Sequence, residues 1–178
     1  VPVVPRGAGT GLCGGAVPLK GGIVMDLTRM NKIKEVRVPD LYCVCEAGVV
    51  YDNLQKALAP YKFTFPPTPG SAEACTIGGM VATNASGMRA VKYGGTRDYV
   101  LGLEVVLPSG EIIRVGTRTL KDASGYQLEK FFVGSEGTLG VITEVTLKVV
   151  PKPKKMAMVL AGFDSLQKAG QCVSNLIA

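Results

Sequence analysis

No histidine and no tryptophan occur in this 178-residue chain. The first absence removes His-Cys zinc sites and every Ser-His-Asp or Cys-His catalytic device. The second, with aromatics at only 6%, leaves little on which nucleic-acid bases could stack. Basic residues are scattered except at Lys152, Lys154 and Lys155, so nucleic-acid binding is a poor reading of the +6 net charge. A mildly basic surface that favours anionic ligands accounts for it. The five cysteines (Cys13, Cys43, Cys45, Cys75, Cys172) form an odd set without a CxxC pair. Free thiols in a reducing compartment are expected. The spacing of Cys43 and Cys45 puts both on one face of a strand, which reads as core packing. No apolar run approaches the roughly 20 residues of a transmembrane helix, and no secretory signal pattern is present. The P-loop pattern GxxxxGK[ST] occurs nowhere, so ATP and GTP chemistry has no support.

What the chain does have is glycine, 23 residues of it, concentrated in three places. Residues 5–15 read Pro-Arg-Gly-Ala-Gly-Thr-Gly-Leu-Cys-Gly-Gly. A loop this poor in side chains leaves its N–H groups uncovered and can wrap them around a pyrophosphate. Hydrogen bonds to a charged acceptor contribute about 1.5–3 kcal/mol each, enough in combination to hold a dinucleotide. Gly9-Thr10-Gly11-Leu12-Cys13-Gly14 matches GxGxxG, but a Rossmann fingerprint needs a helix to open there. Pro18 and the pair Gly21-Gly22 forbid one. The second cluster, within residues 66–87, has small side chains, no Lys or Arg and one carboxylate. It suits equally a helix packed closely on protein and a surface against a flat ligand. The third is Gly134-Ser135-Glu136-Gly137-Thr138-Leu139-Gly140.

Hydrophobic patterning predicts strands at 22–27, 33–38 and 41–47, the last two forming a hairpin about Pro39-Asp40. Val50, Leu54, Ala57 and Leu58 predict a helix stopped by Pro60. A brief strand is expected at 63–65, a hairpin of 101–107 with 111–115 about Pro108-Ser109-Gly110, and a short helix at 127–133. The β-branched run 141–150 is the clearest strand. A further strand is predicted at 156–163, then a helix capped by Asp164 or Ser165 and running through Leu166, Ala169, Val173 and Ile177. With 47% hydrophobic residues, the length suits one compact domain or two small lobes. The chain starts on Val1, as if at a strand end, and is expected to be a piece of a longer protein lacking material at its front.

Several segments in order resemble one family. They are 5–11 (PRGAGTG), 75–79 (CTIGG), 82–87 (ATNASG), 92–94 (KYG), 96–106 (TRDYVLGLEVV) and 134–143 (GSEGTLGVIT). The pattern is similar to the FAD-binding PCMH-type domain of the vanillyl-alcohol oxidase and p-cresol methylhydroxylase flavoproteins. The nearest branch is glycolate oxidase D subunits and FAD-linked D-lactate dehydrogenases. The resemblance implies an α+β fold of two lobes, about 1–66 and 67–150, the larger an antiparallel sheet flanked by helices. Residues 151–178 would begin a C-terminal cap domain.

By the same resemblance FAD lies extended between the lobes. Arg6, Gly7, Ala8, Gly9, Thr10 and Gly11 would hold the pyrophosphate. Ser71, Cys75, Thr76, Gly78, Gly79, Asn84 and Gly87 would line the ribityl chain and isoalloxazine, and Glu136, Gly140 and Ile142 would stand near the ribose and adenine side or the ring edge. Pro5, Leu12, Pro69, Gly70, Thr83, Tyr93, Gly94, Gly137 and Val141 complete the expected cofactor-binding set. Other readings stay open: Glu136 as a solvated loop carboxylate, Asn84 as a helix-end residue, Arg6 as a surface cation or a brace for its loop. Some members attach FAD through a histidine in the first loop; Thr10 stands at the comparable position. FAD is therefore expected to be non-covalent, with a cysteinyl link through Cys13 or Cys75 left open.

The implied function is oxidation of a D-2-hydroxy acid, glycolate or D-lactate, to the 2-oxo acid, with hydride transfer to flavin N5. A quinone, a cytochrome or a partner flavoprotein would reoxidise the flavin. Substrate-clamping and metal-binding groups would lie in the cap domain, so no catalytic residue and no metal ligand is assigned here. The alternatives are a non-catalytic flavin-binding electron-transfer subunit, or another FAD enzyme of the superfamily such as an ether-lipid synthase or a cell-wall reductase. The expected location is cytoplasmic, at most peripheral to a membrane.

Overall fold

A computed structural model of the chain describes residues 1–177. It opens with a two-stranded parallel pair, β1 (Val3–Arg6) and β2 (Ile23–Asp26). A five-stranded antiparallel sheet follows, in the order β3-β4-β8-β6-β7. Its strands are β3 (Ile33–Arg37), β4 (Tyr42–Glu46), β6 (Val100–Val106), β7 (Ile112–Gly116) and β8 (Val141–Lys148). The helices are α1 (Tyr51–Leu58), α2 (Ile77–Thr83), α3 (Ala90–Tyr93), α4 (Glu129–Phe132) and α5 (Leu166–Ile177). A small antiparallel pair, β5 (Phe63–Thr64) with β9 (Val150–Pro151), closes the helical side.

Strand alternation sorts the sheet into two chemically different faces. Cys43 lies opposite Leu147, and Cys45 opposite Val145, which in turn faces Leu103. These side chains are buried and share one core with Leu54 and Leu58 of α1 and Ile77, Met80 and Val81 of α2. Burying each large aliphatic residue contributes about 1.5–3 kcal/mol. The core placement read for Cys43 and Cys45 holds: both are fully buried, and burial pushes the Cys43 thiol up to about 12. Phe65 sits at the centre, 5.7 Å from the Tyr99 ring edge-to-face and 6.1 Å from the Tyr51 ring.

The opposite face carries charge. Glu46, Glu144 and Glu104 stand directly across from one another on β4, β8 and β6, and Arg114 of β7 faces Glu104. Like charges in register destabilise a sheet. Cations at the two ends offset this: Lys34 Nζ lies 2.6 Å from Glu144 and 3.9 Å from Glu46, and Arg114 Nη2 donates to Glu104 at 2.7 Å. The Arg114 hydrogen bond, helped by one from Thr143, holds the Glu104 carboxyl below its ordinary 4.5. A depressed carboxyl stabilises the fold above the unfolded value, and this is lost as pH falls through the lower folded value. The Glu104→Gln variant is expected to lose up to about 1 kcal/mol at pH 7, since Arg114 is largely exposed. The deficit should shrink in urea midpoints as pH falls below the ordinary carboxyl value of 4.5; a deficit independent of pH would overturn the assignment.

The predicted elements through residue 150 are present; the structure adds the single turn α3 and 3-10 turns at Ala59–Tyr61 and Thr96–Asp98, and makes the second glycine-rich segment the helix α2. Ser165 is the residue that caps α5, its Oγ accepting from the Lys168 N–H at 3.3 Å. One expectation is corrected. Residues 156–163 are not a strand: they are exposed and pair with no strand among the described residues, and β propensity without a ladder partner does not make a strand. β3 and β4, which precede residue 66, share one sheet with β6, β7 and β8, which follow it. Among the described residues, no helix is long and apolar enough to cross a membrane.

Candidate cofactor cleft

The chain leaves β1 at Arg6 and returns in β2 through an irregular loop with no helix, which removes the Rossmann reading of the GxGxxG match. From Gly7 to Ala16 no backbone N–H reaches a protein acceptor among the described residues. The loop presses directly on the start of α2. A Cβ at Gly7 would collide with Thr76 Oγ1, and Thr76 is the N-cap, its Oγ1 accepting from the Gly79 N–H at 3.3 Å.

The second bend enters α2 just as tightly. Gly78 donates its N–H to Ala47 O at 2.7 Å. A Cβ there would overlap the Ala47 backbone, 2.9 Å from its carbonyl oxygen and 3.0 Å from its Cα. The third bend hangs from the other end of the helix: Gly134 N–H donates to Val81 O and Glu136 N–H to Ala82 O, each at 2.9 Å. It also touches the first. Gly137 packs on the Pro5 ring, and the Glu136 carboxylate reaches the Cα of Gly15.

The three clusters thus meet in one open cleft of about 440 Å³, within the roughly 300–1,000 Å³ usual for ligand sites. Its lining is mostly glycine, alanine and small hydroxyl or thiol side chains, with a few larger apolar residues such as Leu27, Met80 and Ile142 and with Arg6 and Glu136 as the charged residues. Arg6 lies over Gly9, so it braces its own loop as well as facing the cleft. A run of amides without protein acceptors suits a pyrophosphate. Neutral backbone donors and Cα surfaces suit a flat ring that gains negative charge. The donor set therefore fits a flavin dinucleotide.

The FAD-binding domain family matches residues 1–116. The chain belongs to that family. FAD is thereby its cofactor. Curated relatives extend the likeness over the whole chain. It is 47% identical over 178 residues to glycolate oxidase subunit GlcD of Bacillus subtilis (strain 168), covering 100% of this chain and 38% of the relative. It is 47% identical over 173 residues to a D-lactate dehydrogenase of Archaeoglobus fulgidus, covering 97% of this chain and 39% of the relative. This FAD-binding chain thus spans less than two-fifths of those relatives. A solved alkyldihydroxyacetonephosphate synthase superposes with a TM-score of 0.75 at 30% identity, over 87% of this chain and 30% of the other. These likenesses bear out the FAD-binding PCMH-type resemblance and its α+β fold.

Within this FAD-binding domain the cleft gathers Pro5 to Leu12, Pro69, Gly70, Ser71, Cys75, Thr76, Gly78, Gly79, Thr83, Glu136, Gly137, Gly140 and Ile142. Asn84, Gly87, Tyr93, Gly94 and Val141 do not line it, and their places in the fold explain why. Asn84 is the C-cap of α2, left-handed at φ 47°. Gly87 packs on the Thr68 carbonyl, and Gly94 on the Asp98 carboxylate. Tyr93 ends α3 and packs on the core, and Val141 pairs with Val106 at the start of β8. Sequence reasoning left out of the expected set Cys13, Gly15, Ala16, Leu27, Ala47, Met80, Ala82, Ala85 and Ser86; most are small or apolar and carry no chemical signature of their own. Among the described residues, no three His, Cys, Asp or Glu side chains are grouped to hold a metal ion.

Proposed function

We propose that this chain is the FAD-binding portion of a flavin-dependent oxidoreductase that converts a D-2-hydroxy acid, of the glycolate or D-lactate type, to the 2-oxo acid. The observation that carries the proposal is chain-wide identity of 47% to a glycolate oxidase subunit and to a D-lactate dehydrogenase, over a cleft that fits a flavin dinucleotide. Bound FAD supplies the hydride acceptor. The chain's own part would be to bind and orient: amides from Gly7 to Ala16 would take the pyrophosphate, the Gly78-Gly79 backbone would approach the ring system, and Glu136 would stand near the ribose, the adenine or the ring edge. The alkyldihydroxyacetonephosphate synthase likeness favours a second reading, another FAD enzyme of this fold, but at 30% identity it carries less than the hydroxy-acid relatives. The proposal includes a hydroxy-acid substrate, a separate electron acceptor or partner subunit, and a cytoplasmic or membrane-peripheral location.

FAD is proposed to be held without a covalent bond. No histidine is available. Of the two cysteines facing the cleft, Cys75 is buried, and burial pushes its thiol up, away from the nucleophilic thiolate. Purified chain titrated with FAD is expected to show shifted flavin absorption bands. Acid or urea denaturation of that complex should release all yellow colour into the supernatant. Colour retained on the precipitated protein would refute non-covalent binding, and unshifted bands at saturating FAD would refute the cleft. In the longer protein, dye reduction by D-lactate or glycolate tests the oxidation; its absence with both acids would favour the second reading.

A further inference from the structure

We infer that the 3-10 turn Thr96–Asp98, with Arg97 at its centre, is a positioning element that fixes the third glycine-rich bend against the end of α2 without itself touching the cofactor. The inference rests on the FAD reading of the cleft. None of the three residues lines the cleft, yet the turn grips both walls that meet there.

On one side, Thr96 donates from its N–H and from Oγ1 to the carbonyl of Ala85, at 3.1 and 2.6 Å, and Ala85 is a lining residue. The Arg97 N–H donates to Asn84 Oδ1 at 3.0 Å. Asn84 is the left-handed residue that turns the chain out of α2, so its side-chain oxygen is committed to the turn rather than to the cleft. On the other side, Arg97 Nη2 donates to the Val133 carbonyl at 2.9 Å. The next residue, Gly134, has φ 86°, and its Cα faces this guanidinium so closely that a Cβ would stand 3.2 Å from Nη2 and 3.5 Å from Asn84 Cβ.

A third tie comes from α4, the element that leads into the bend. Lys130 Nζ donates to the carbonyls of Arg97 and Val100, at 2.8 and 2.6 Å. Asp98 closes the turn by accepting from the Gly95 N–H at 2.7 Å. The bend's own hold on α2 is the pair of hydrogen bonds from Gly134 and Glu136. These keep their register only while Val133 is fixed, and it is held twice: its side chain is buried in the core and its carbonyl is tied by Arg97. A side chain outside the cleft therefore helps to set where Glu136 and Gly137 stand within it.

The test uses the whole chain with FAD as the probe, read by quenching of flavin fluorescence, together with amide hydrogen exchange without FAD. The Arg97→Ala variant is expected to weaken FAD binding about tenfold, the effect of one lost hydrogen bond to a charged donor. Exchange should quicken at residues 134–140 and stay unchanged in β4 and β8. Arg97→Lys, which keeps a donor, should restore most of the affinity. Unchanged FAD affinity in Arg97→Ala, or exchange raised uniformly through the sheet, would overturn the inference. If the unaltered chain takes up no FAD, the cofactor reading fails separately. Exchange then decides: loosening confined to 134–140 upholds the positioning role, and any other pattern overturns it.

Discussion

Replacing Gly78 with valine is expected to lower FAD affinity by at least about a hundredfold, some 2.7 kcal/mol. The atoms that a Cβ would meet are the Cβ, carbonyl oxygen and Cα of Ala47. They are backbone or fixed rigidly to it, just past the end of β4, and cannot swing aside as a long side-chain tip could. Either α2 withdraws from the sheet or its first turn distorts, at a cost of about 1–3 kcal/mol for overpacking. The cofactor cleft amplifies that cost. The same short helix presents Gly78, Gly79, Met80, Ala82 and Thr83 to the cleft, and its last carbonyls hold the third bend. Moving it disturbs two of the three walls at once. Fluorescence titration checks the outcome, with Gly170→Ala as a control, since nothing lies within 4 Å of a Cβ at that position in α5. A Gly78→Val protein that binds FAD within threefold of the parent would show that the helix has room to yield.

The Phe65→Ala substitution is expected to be the most damaging to the fold, lowering unfolding free energy by about 3–5 kcal/mol. That is a large share of the roughly 5–15 kcal/mol available to a domain of this kind. Phe65 is fully buried between the Tyr51 and Tyr99 rings. Its surroundings cannot collapse into the vacated space, because its carbonyl is fixed by Tyr51 Oη at 3.1 Å and Gln55 Nε2 at 2.6 Å. Urea unfolding without FAD gives the number, and Phe65→Leu should retain more than half the lost stability. A Phe65→Ala loss below 1 kcal/mol would mean that the ring stack is not the centre of the core. Since the chain runs from Phe65 straight to Pro69, Gly70 and Ser71 of the cleft, the alanine variant should also bind FAD less tightly.

The cleft was legible in the sequence where its chemistry is local. Runs such as Gly7 to Gly11 and Gly134 to Gly140 announce a backbone surface, because nothing but close approach requires so little side chain. Cys43 and Cys45 were legible by spacing alone. Asn84, Gly87 and Gly94 share the same small, turn-forming character, and composition cannot say whether such a residue faces a ligand or another strand. Gly87 meets the Thr68 carbonyl and Gly94 the Asp98 carboxylate, contacts that exist only once the chain has folded back. Residues 156–163 carried the pattern of a strand without a partner to pair with. The strand order was hidden for the same reason: β8 inserts between β4 and β6, and no pattern along the chain records which edges meet. The row Glu46, Glu144, Glu104 emerges only from that order.

That insertion governs how the chain matures. Tyr42 of β4 finds its partner in Lys148 of β8, about a hundred residues later. At a synthesis rate of about 5–20 residues per second, the edge of β4 stays unmatched for roughly 5–20 s after it leaves the ribosome. Contacts so distant along the polymer also slow the search itself. Until β8 is made, that edge of the nascent chain is a ready template for mispairing.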